Sequence, residues 1–218
     1  MRLPISPMKS SPEKHKRSQD LLTFLPILFR SVDAGKLTSS PQIFLNRAVK
    51  RGDIARLIRG YYVNTWKGRI TGEQPTIEQI ACFLRRPSYI SGEWAMNAHS
   101  LIDQAPTVCT VITLAPSVGQ RNRVMLGATA IEYSRIKEEL FWGYEFANGA
   151  YLASPEKAIL DTIYLRGKLP VADEINWDFV NVKKLKKSAE HYPLSVRKYL
   201  RELIEIPART TPVKSGPT

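Results

Sequence analysis

Ser40-Pro41-Gln42-Ile43-Phe44-Leu45-Asn46-Arg47-Ala48-Val49-Lys50-Arg51-Gly52 reads as one amphipathic helix with a stop signal at each end. Ser40 suits the N-cap, and Pro41 suits the first helical position, where a missing N–H leaves nothing unsatisfied. Gly52 can take the left-handed conformation that ends a helix, and Lys50 and Arg51 complement the dipole of the last turn. At about 3.6 residues per turn, Phe44, Leu45, Ala48 and Val49 share the inward face. Gln42, Asn46, Arg47, Lys50 and Arg51 fill the outward face, with Ile43 among them. Gln and Asn pair with adenine, Arg and Lys with guanine, and an aliphatic group can touch the thymine methyl. The outward face therefore has the composition of a reader of base edges. The simpler alternative is a basic surface helix.

The residues that follow sharpen this reading. Ala55–Ile58 and Tyr61–Val63 are short β-prone runs, and Arg59-Gly60 between them has the length of a two-residue hairpin turn, Gly60 supplying a positive φ. That register sets Ile58 opposite Tyr61 and Leu57 opposite Tyr62, aliphatic–aromatic pairs that stabilise a two-stranded ribbon. Arg59 is left at the tip. A basic amphipathic helix followed at once by such a hairpin is the layout of a winged helix-turn-helix. There the helix enters the major groove and the hairpin lies along the backbone or the minor groove.

Charge agrees with this arrangement. The chain has 218 residues and a net charge of +12, enough length for two modest domains. Residues 1–63 hold twelve Lys and Arg against four Asp and Glu, whereas the remainder holds twenty against sixteen. A positive field concentrated over the reading helix is what phosphate binding needs. The two cysteines, Cys82 and Cys109, are too few for a disulfide framework or a Cys-rich zinc site. His15, His99 and His191 are scattered, and the carboxylates show no ligand spacing, so neither metal nor cofactor is expected. No apolar run approaches a membrane span, and the N-terminus lacks the order of a signal peptide. The expected location is the cytoplasm.

Four stretches of the chain follow from composition. Residues 1–17, rich in Pro, Ser and Lys, read as a disordered basic tail. Residues 18–71 form the winged helix-turn-helix domain, opened by an apolar helix from Leu21 to Val32 with Ser18 as cap, kinked or restarted at Pro26. Little room is left between that helix and Ser40 for a full second helix. Gly72-Glu73-Gln74-Pro75 marks a boundary, and residues 76–206 form a mixed α+β effector domain. Its expected helices begin at the capping box Thr76-Ile77-Glu78-Gln79, at Ser91, at Ser154-Pro155-Glu156-Lys157 and at Pro193. Its expected strands are Val108–Leu114, Arg123–Leu126, Ala130–Ile136 and Leu140–Phe146. Residues 207–218 read as a flexible tail.

Four segments in this order resemble the AbiEi family, antitoxins and transcriptional regulators of bacterial type IV toxin–antitoxin systems. They are Asn46–Tyr62; Pro87–Ser91 continuing through Ala95-Met96 to His99-Ser100-Leu101; Val108–Thr113 followed by Phe141-Trp142-Gly143; and Ala153–Asp161. The resemblance covers roughly residues 20–170. It implies an N-terminal winged helix that binds double-stranded DNA at inverted repeats in its own promoter. It also implies a second domain that counteracts a cognate nucleotidyltransferase-like toxin. By that analogy Gln42, Asn46, Arg47 and Lys50 read bases, while Arg51, Arg56 and Arg59 hold phosphates. Inverted repeats require two copies on DNA, as a dimer or as two monomers.

The expected protein is thus a DNA-binding repressor and antitoxin without catalytic activity. One rival is an antitoxin that binds protein and has lost its DNA. Another is a metal-dependent nuclease using carboxylates such as Glu156 and Asp161. A helix start with an i,i+4 Lys157–Asp161 pair accounts for those residues without chemistry. His99 reads as a packing or capping histidine, Trp94 and Trp142 as core, and the Lys183–Lys187 run as a solvated face able to meet DNA or an acidic partner.

Overall fold

A computed structural model describes residues 19–116, 122–170 and 172–205. The expected basic tail, the Ser18 cap and the C-terminal tail from residue 207 lie outside the described residues. The chain is mixed α+β and divides into two compact units, up to Thr76 and from Ile77.

The first unit holds α1 (described over 19–23), β1 (Leu28–Arg30), α2 (Ser31–Gly35), α3 (Pro41–Arg51), β2 (Ala55–Ile58), β3 (Tyr61–Val63) and α4 (Thr65–Thr71). The apolar segment after Ser18 is therefore not one helix to Val32. It leaves the helix ahead of Pro26 and becomes β1, which pairs antiparallel with β3, Leu28 opposite Val63 and Arg30 opposite Tyr61. Proline lacks the N–H that would continue the helix, and an exposed edge on the hairpin offers backbone partners instead. A short α2 of five residues fills the space before Ser40. The three strands are ordered β1-β3-β2. Leu22, Leu25, Phe29, Ala34, Phe44, Leu45, Ala48, Ile54 and Tyr62 form the core of this unit. Phe29 and Tyr62 stack across the β1–β3 pair, centroids 5.5 Å apart.

Asn64 locks these pieces together. Fully buried, it donates from its side-chain amide to the carbonyl of Leu22 at 2.9 Å and accepts from the Lys67 backbone N–H as the cap of α4. Its own N–H donates to the carbonyl of Ile27. One residue thus ties the end of α1, the entry to β1 and the start of α4.

The second unit is built on a six-stranded sheet, ordered β6-β7-β5-β4-β9-β8. These strands are β4 (Ser88–Ser91), β5 (Val108–Thr113), β6 (Arg123–Leu126), β7 (Thr129–Arg135), β8 (Tyr144–Ala147) and β9 (Ala150–Ala153). β5 runs parallel to β7 and β4 parallel to β9, the other neighbours being antiparallel. The expected strand Leu140–Phe146 is corrected: Glu138–Leu140 is a 3-10 turn, and the strand begins only at Tyr144, to form a hairpin with β9. The helices are α5 (Ile77–Leu84), α6 (Gly92–Ala98), α7 (Pro155–Arg166), α8 (Val182–Ala189) and α9 (Leu194–Glu205). Tyr89 and Ile112 point into a core shared with α6, α7, α8 and α9. α7 turns no face to solvent over its first two turns; its buried residues run unbroken from Glu156 to Ile163. Among the described residues no helix is long and apolar enough to cross a membrane.

Candidate nucleic-acid interface

Of the capping signals around α3, those at Pro41 and Gly52 act as their chemistry requires. Pro41 opens the helix, and Gly52 closes it in the left-handed conformation at φ 75°, its N–H donating to the carbonyls of Ala48 and Val49. Ser40 occupies the N-cap position but makes no side-chain cap hydrogen bond. Phe44, Leu45 and Ala48 are buried as the helical period predicts, but Val49 is not: it is 39% exposed and widens the solvent face. Gln42, Ile43, Asn46, Arg47 and Lys50 are exposed beside it. Gln42 and Asn46 are one turn apart and linked, the Gln42 amide donating to Asn46 Oδ1 at 3.1 Å. That link orients the two amides on one stripe of the helix.

The hairpin β2–β3 turns at Arg59-Gly60, with Gly60 at φ 84°. Ile58 faces Tyr61 as expected, but Tyr62 faces Arg56 and not Leu57. A bulge between Arg56 and Ile58 absorbs Leu57, so that Arg56 and Ala55 are exposed while Leu57 and Ile58 stay half-buried. A bulge raises local twist and re-aims side chains, here near the tip that carries Arg59.

The cations of this unit fall into two sets. Arg51 is tied down: its Nε donates to Asp53 Oδ2 at 2.7 Å, and Asp53 is itself only 4% exposed. Arg69 stands 4.0 Å from the other oxygen of Asp53 and donates to the Gly52 carbonyl. Lys67 donates from Nζ to the carbonyls of Thr23 and Leu25. Arg30 and Lys36 share Asp33. In contrast, Arg47, Lys50, Arg56 and Arg59 are exposed and have no carboxylate partner among the described residues. Of the three residues expected to hold phosphates, Arg56 and Arg59 are free to do so, and Arg51 serves Asp53. Asp53 was legible two residues after Arg51, but only the αL turn at Gly52 brings its carboxylate back to the guanidinium.

The conspicuous residues of the second unit are internal. Lys157 and Asp161 form a buried ion pair, with Asp161 also accepting from the hydroxyls of Tyr89 (2.9 Å), Ser91 (2.8 Å) and Tyr192 (2.8 Å). The ammonium lies 5.2–5.5 Å from the ring centroids of Tyr89, Trp142 and Tyr192. Burial pushes the Lys157 pKa down, opposed by the Asp161 charge. Burial, then the same charge, pushes the Tyr89 and Tyr192 hydroxyls far up. Glu156 accepts from Ser154 Oγ, from the Asn181 N–H and from Lys184 at 2.9 Å. Glu156 and Asp161, the carboxylates considered for a metal-dependent nuclease, thus each have partners within the chain. His99 ends α6 with Nε2 2.8 Å from the Ala153 carbonyl, and Trp94 donates to Glu78 at 2.7 Å.

No protein-family model matches the chain, and a search of curated proteins gives no match either. Among solved structures the chain is similar to the crystal structure of the RV2827C protein from Mycobacterium tuberculosis, with a TM-score of 0.55 and 13% identity over 90% of this chain and 78% of that one. At that identity the likeness concerns the fold alone.

Proposed function

We propose that the protein is a sequence-specific DNA-binding regulator whose first unit is a winged helix-turn-helix. α3 is its recognition helix and β2–β3 its wing. The observation that carries this reading is the solvent face of α3. There Arg47 and Lys50 stand without carboxylate partners among the described residues, beside an oriented Gln42–Asn46 pair and followed directly by a hairpin with Arg59 at its tip. The order α1-β1-α2-α3-β2-β3, with β1 completing the sheet, supports the same assignment. Gln42, Asn46, Arg47 and Lys50 read base edges; Arg56 and Arg59 hold phosphates.

Together with the resemblance to AbiEi regulators, this makes the chain an autorepressor and antitoxin of a type IV system, acting by binding and not by catalysis. Its partners are inverted repeats upstream of its own gene and a nucleotidyltransferase-like toxin. A mobility shift on that upstream DNA, with unrelated duplex as competitor at two salt concentrations, tests the reading. Binding that survives competitor at physiological salt supports it. Binding lost to competitor reduces α3 to a basic surface helix.

A further inference from the structure

β5 and β7 are parallel neighbours, and a cavity of about 400 Å³ opens beside their carboxyl ends. It is lined by Leu114, Arg135, Ile136, Lys137, Glu138 and Tyr164. Leu114 follows β5, Arg135 closes β7, and Tyr164 comes from the last turn of α7. Ile136 belongs to the core of the second unit, and Leu114 and Tyr164 pack half-buried against that core. The cavity therefore opens onto apolar side chains. It lies where sheets with parallel strands take small molecules, beyond the carboxyl ends, and its volume is in the range of such sites.

Its charges are of both signs. Lys137 stands 3.7 Å from Glu139 in an exposed surface pair. Arg135 and Glu138 are exposed, and neither has an ion-pair partner among the described residues; they do not pair with each other either. One uncompensated cation, one uncompensated anion and an apolar wall thus border the same space.

We propose that this cavity binds a free α-amino acid with an apolar side chain. The Arg135 guanidinium donates two parallel hydrogen bonds to the α-carboxylate, a planar group that its fork matches. The α-ammonium donates to the Glu138 carboxylate. The apolar side chain lies on Leu114, Ile136 and Tyr164 and leaves water there. A simple organic anion is a poorer occupant, because it brings like charge to Glu138, and an organic cation does the same to Arg135. The site belongs to the second unit and does not depend on DNA reading by α3.

The test is isothermal titration calorimetry of the full chain with l-phenylalanine, without DNA, at about pH 7, where the ligand is a zwitterion. Glycine, N-acetyl-l-phenylalanine and phenethylamine lack in turn the apolar side chain, the ammonium and the carboxylate. Each should bind about tenfold more weakly or worse, through loss of ring burial or of a charge-assisted contact. Arg135→Gln and Glu138→Gln should each weaken l-phenylalanine by about tenfold or more, although they change the net charge in opposite directions. Neither side chain bonds to another described residue, so both variants keep the fold. Lys137→Gln, which removes only an exposed pair, should change affinity by less than about threefold. Leu114→Trp fills the cavity, leaves every charge in place and should abolish binding. No binding up to about 10 mM l-phenylalanine overturns the proposal. So does equal affinity for N-acetyl-l-phenylalanine, the mark of a plain anion site. Affinity that rises in Glu138→Gln, or that survives unchanged in Arg135→Gln, overturns it as well.

Discussion

Lys157 and Asp161 stand one turn apart on α7 and pair in the interior, their side chains 0% and 1% exposed. The spacing is that of an ordinary surface pair, worth about 0.3 kcal/mol. Here the environment reverses the arithmetic, because each charge has left water and depends on the other, on three hydroxyls and on three aromatic rings. No buried side-chain polar atom among the described residues is left without a partner. Asp161→Ala strands the ammonium and should cost about 3–5 kcal/mol of stability in chemical denaturation. The double variant Lys157→Met/Asp161→Leu, which removes both charges, should recover most of that loss. Equal losses in the two variants would mean that packing, not charge, dominates the cluster.

Alkaline pH should weaken the same cluster. Tyr89 and Tyr192 are held above the usual phenol range, by burial first and then by Asp161. The folded chain keeps protons that the unfolded chain releases above about pH 10, so their stabilisation is complete below that pH and declines above it. Each contributes about 1.4 kcal/mol per pH unit. Lys157, with its pKa lowered, acts in the opposite sense but only up to about pH 10.4, where an unfolded lysine has lost its proton. Urea midpoints above about pH 10.5 should therefore fall more gently in Tyr89→Phe, by one such share. An unchanged slope in that variant would show that Tyr89 ionises normally.

Base preference should reside on α3. Replacing Asn46 or Arg47 by Ala should reduce discrimination between operator and unrelated DNA by about 1–3 kcal/mol for each bidentate hydrogen-bond pair removed. Competition binding on single-base operator variants is the readout. The idea sinks if both substitutions weaken all sequences by the same factor.

Arg59 and Arg51 should behave differently, although both are arginines beside the same helix. Arg59→Ala should weaken all sequences alike and flatten the salt slope by about one unit. Arg51→Gln should leave that slope in place and lower stability by about 1–3 kcal/mol, because it uncovers the buried carboxylate of Asp53. A salt slope that responds to Arg51 would return that residue to the phosphate-binding set.

Asn64 predicts a structural defect without a change of surface. Asn64→Ala removes the bond to the Leu22 carbonyl and the cap of α4, and should cost about 2–3 kcal/mol. A loss under about 0.5 kcal/mol would mean that water replaces the amide without penalty.

Local chemistry by itself determined the elements that matter most to the proposed function. Pro41 and Gly52 delimit α3, Gly60 turns the hairpin, and Ser154-Pro155 opens α7, because caps and turns act over three or four neighbouring residues. The α+β class follows from the same signals. Tertiary structure alone decided the rest. β1 is three residues long and exists because β3 offers it partners; its sequence, Leu-Phe-Arg, is equally apolar as a helix. The bulge at Leu57 leaves Tyr62 opposite Arg56, on a strand whose other neighbour stacks Phe29 on Tyr62, an arrangement no strand alternation announces. Whether a charged side chain meets a counter-charge within the chain was decided in the same way. Arg51 and Arg59 look alike in the chain, as do Lys157 and Lys183, and a charged side chain is free for a ligand only if folding has not already brought a counter-charge to it. That counter-charge comes from across a turn or across the core, so its presence depends on distances that only the folded chain sets.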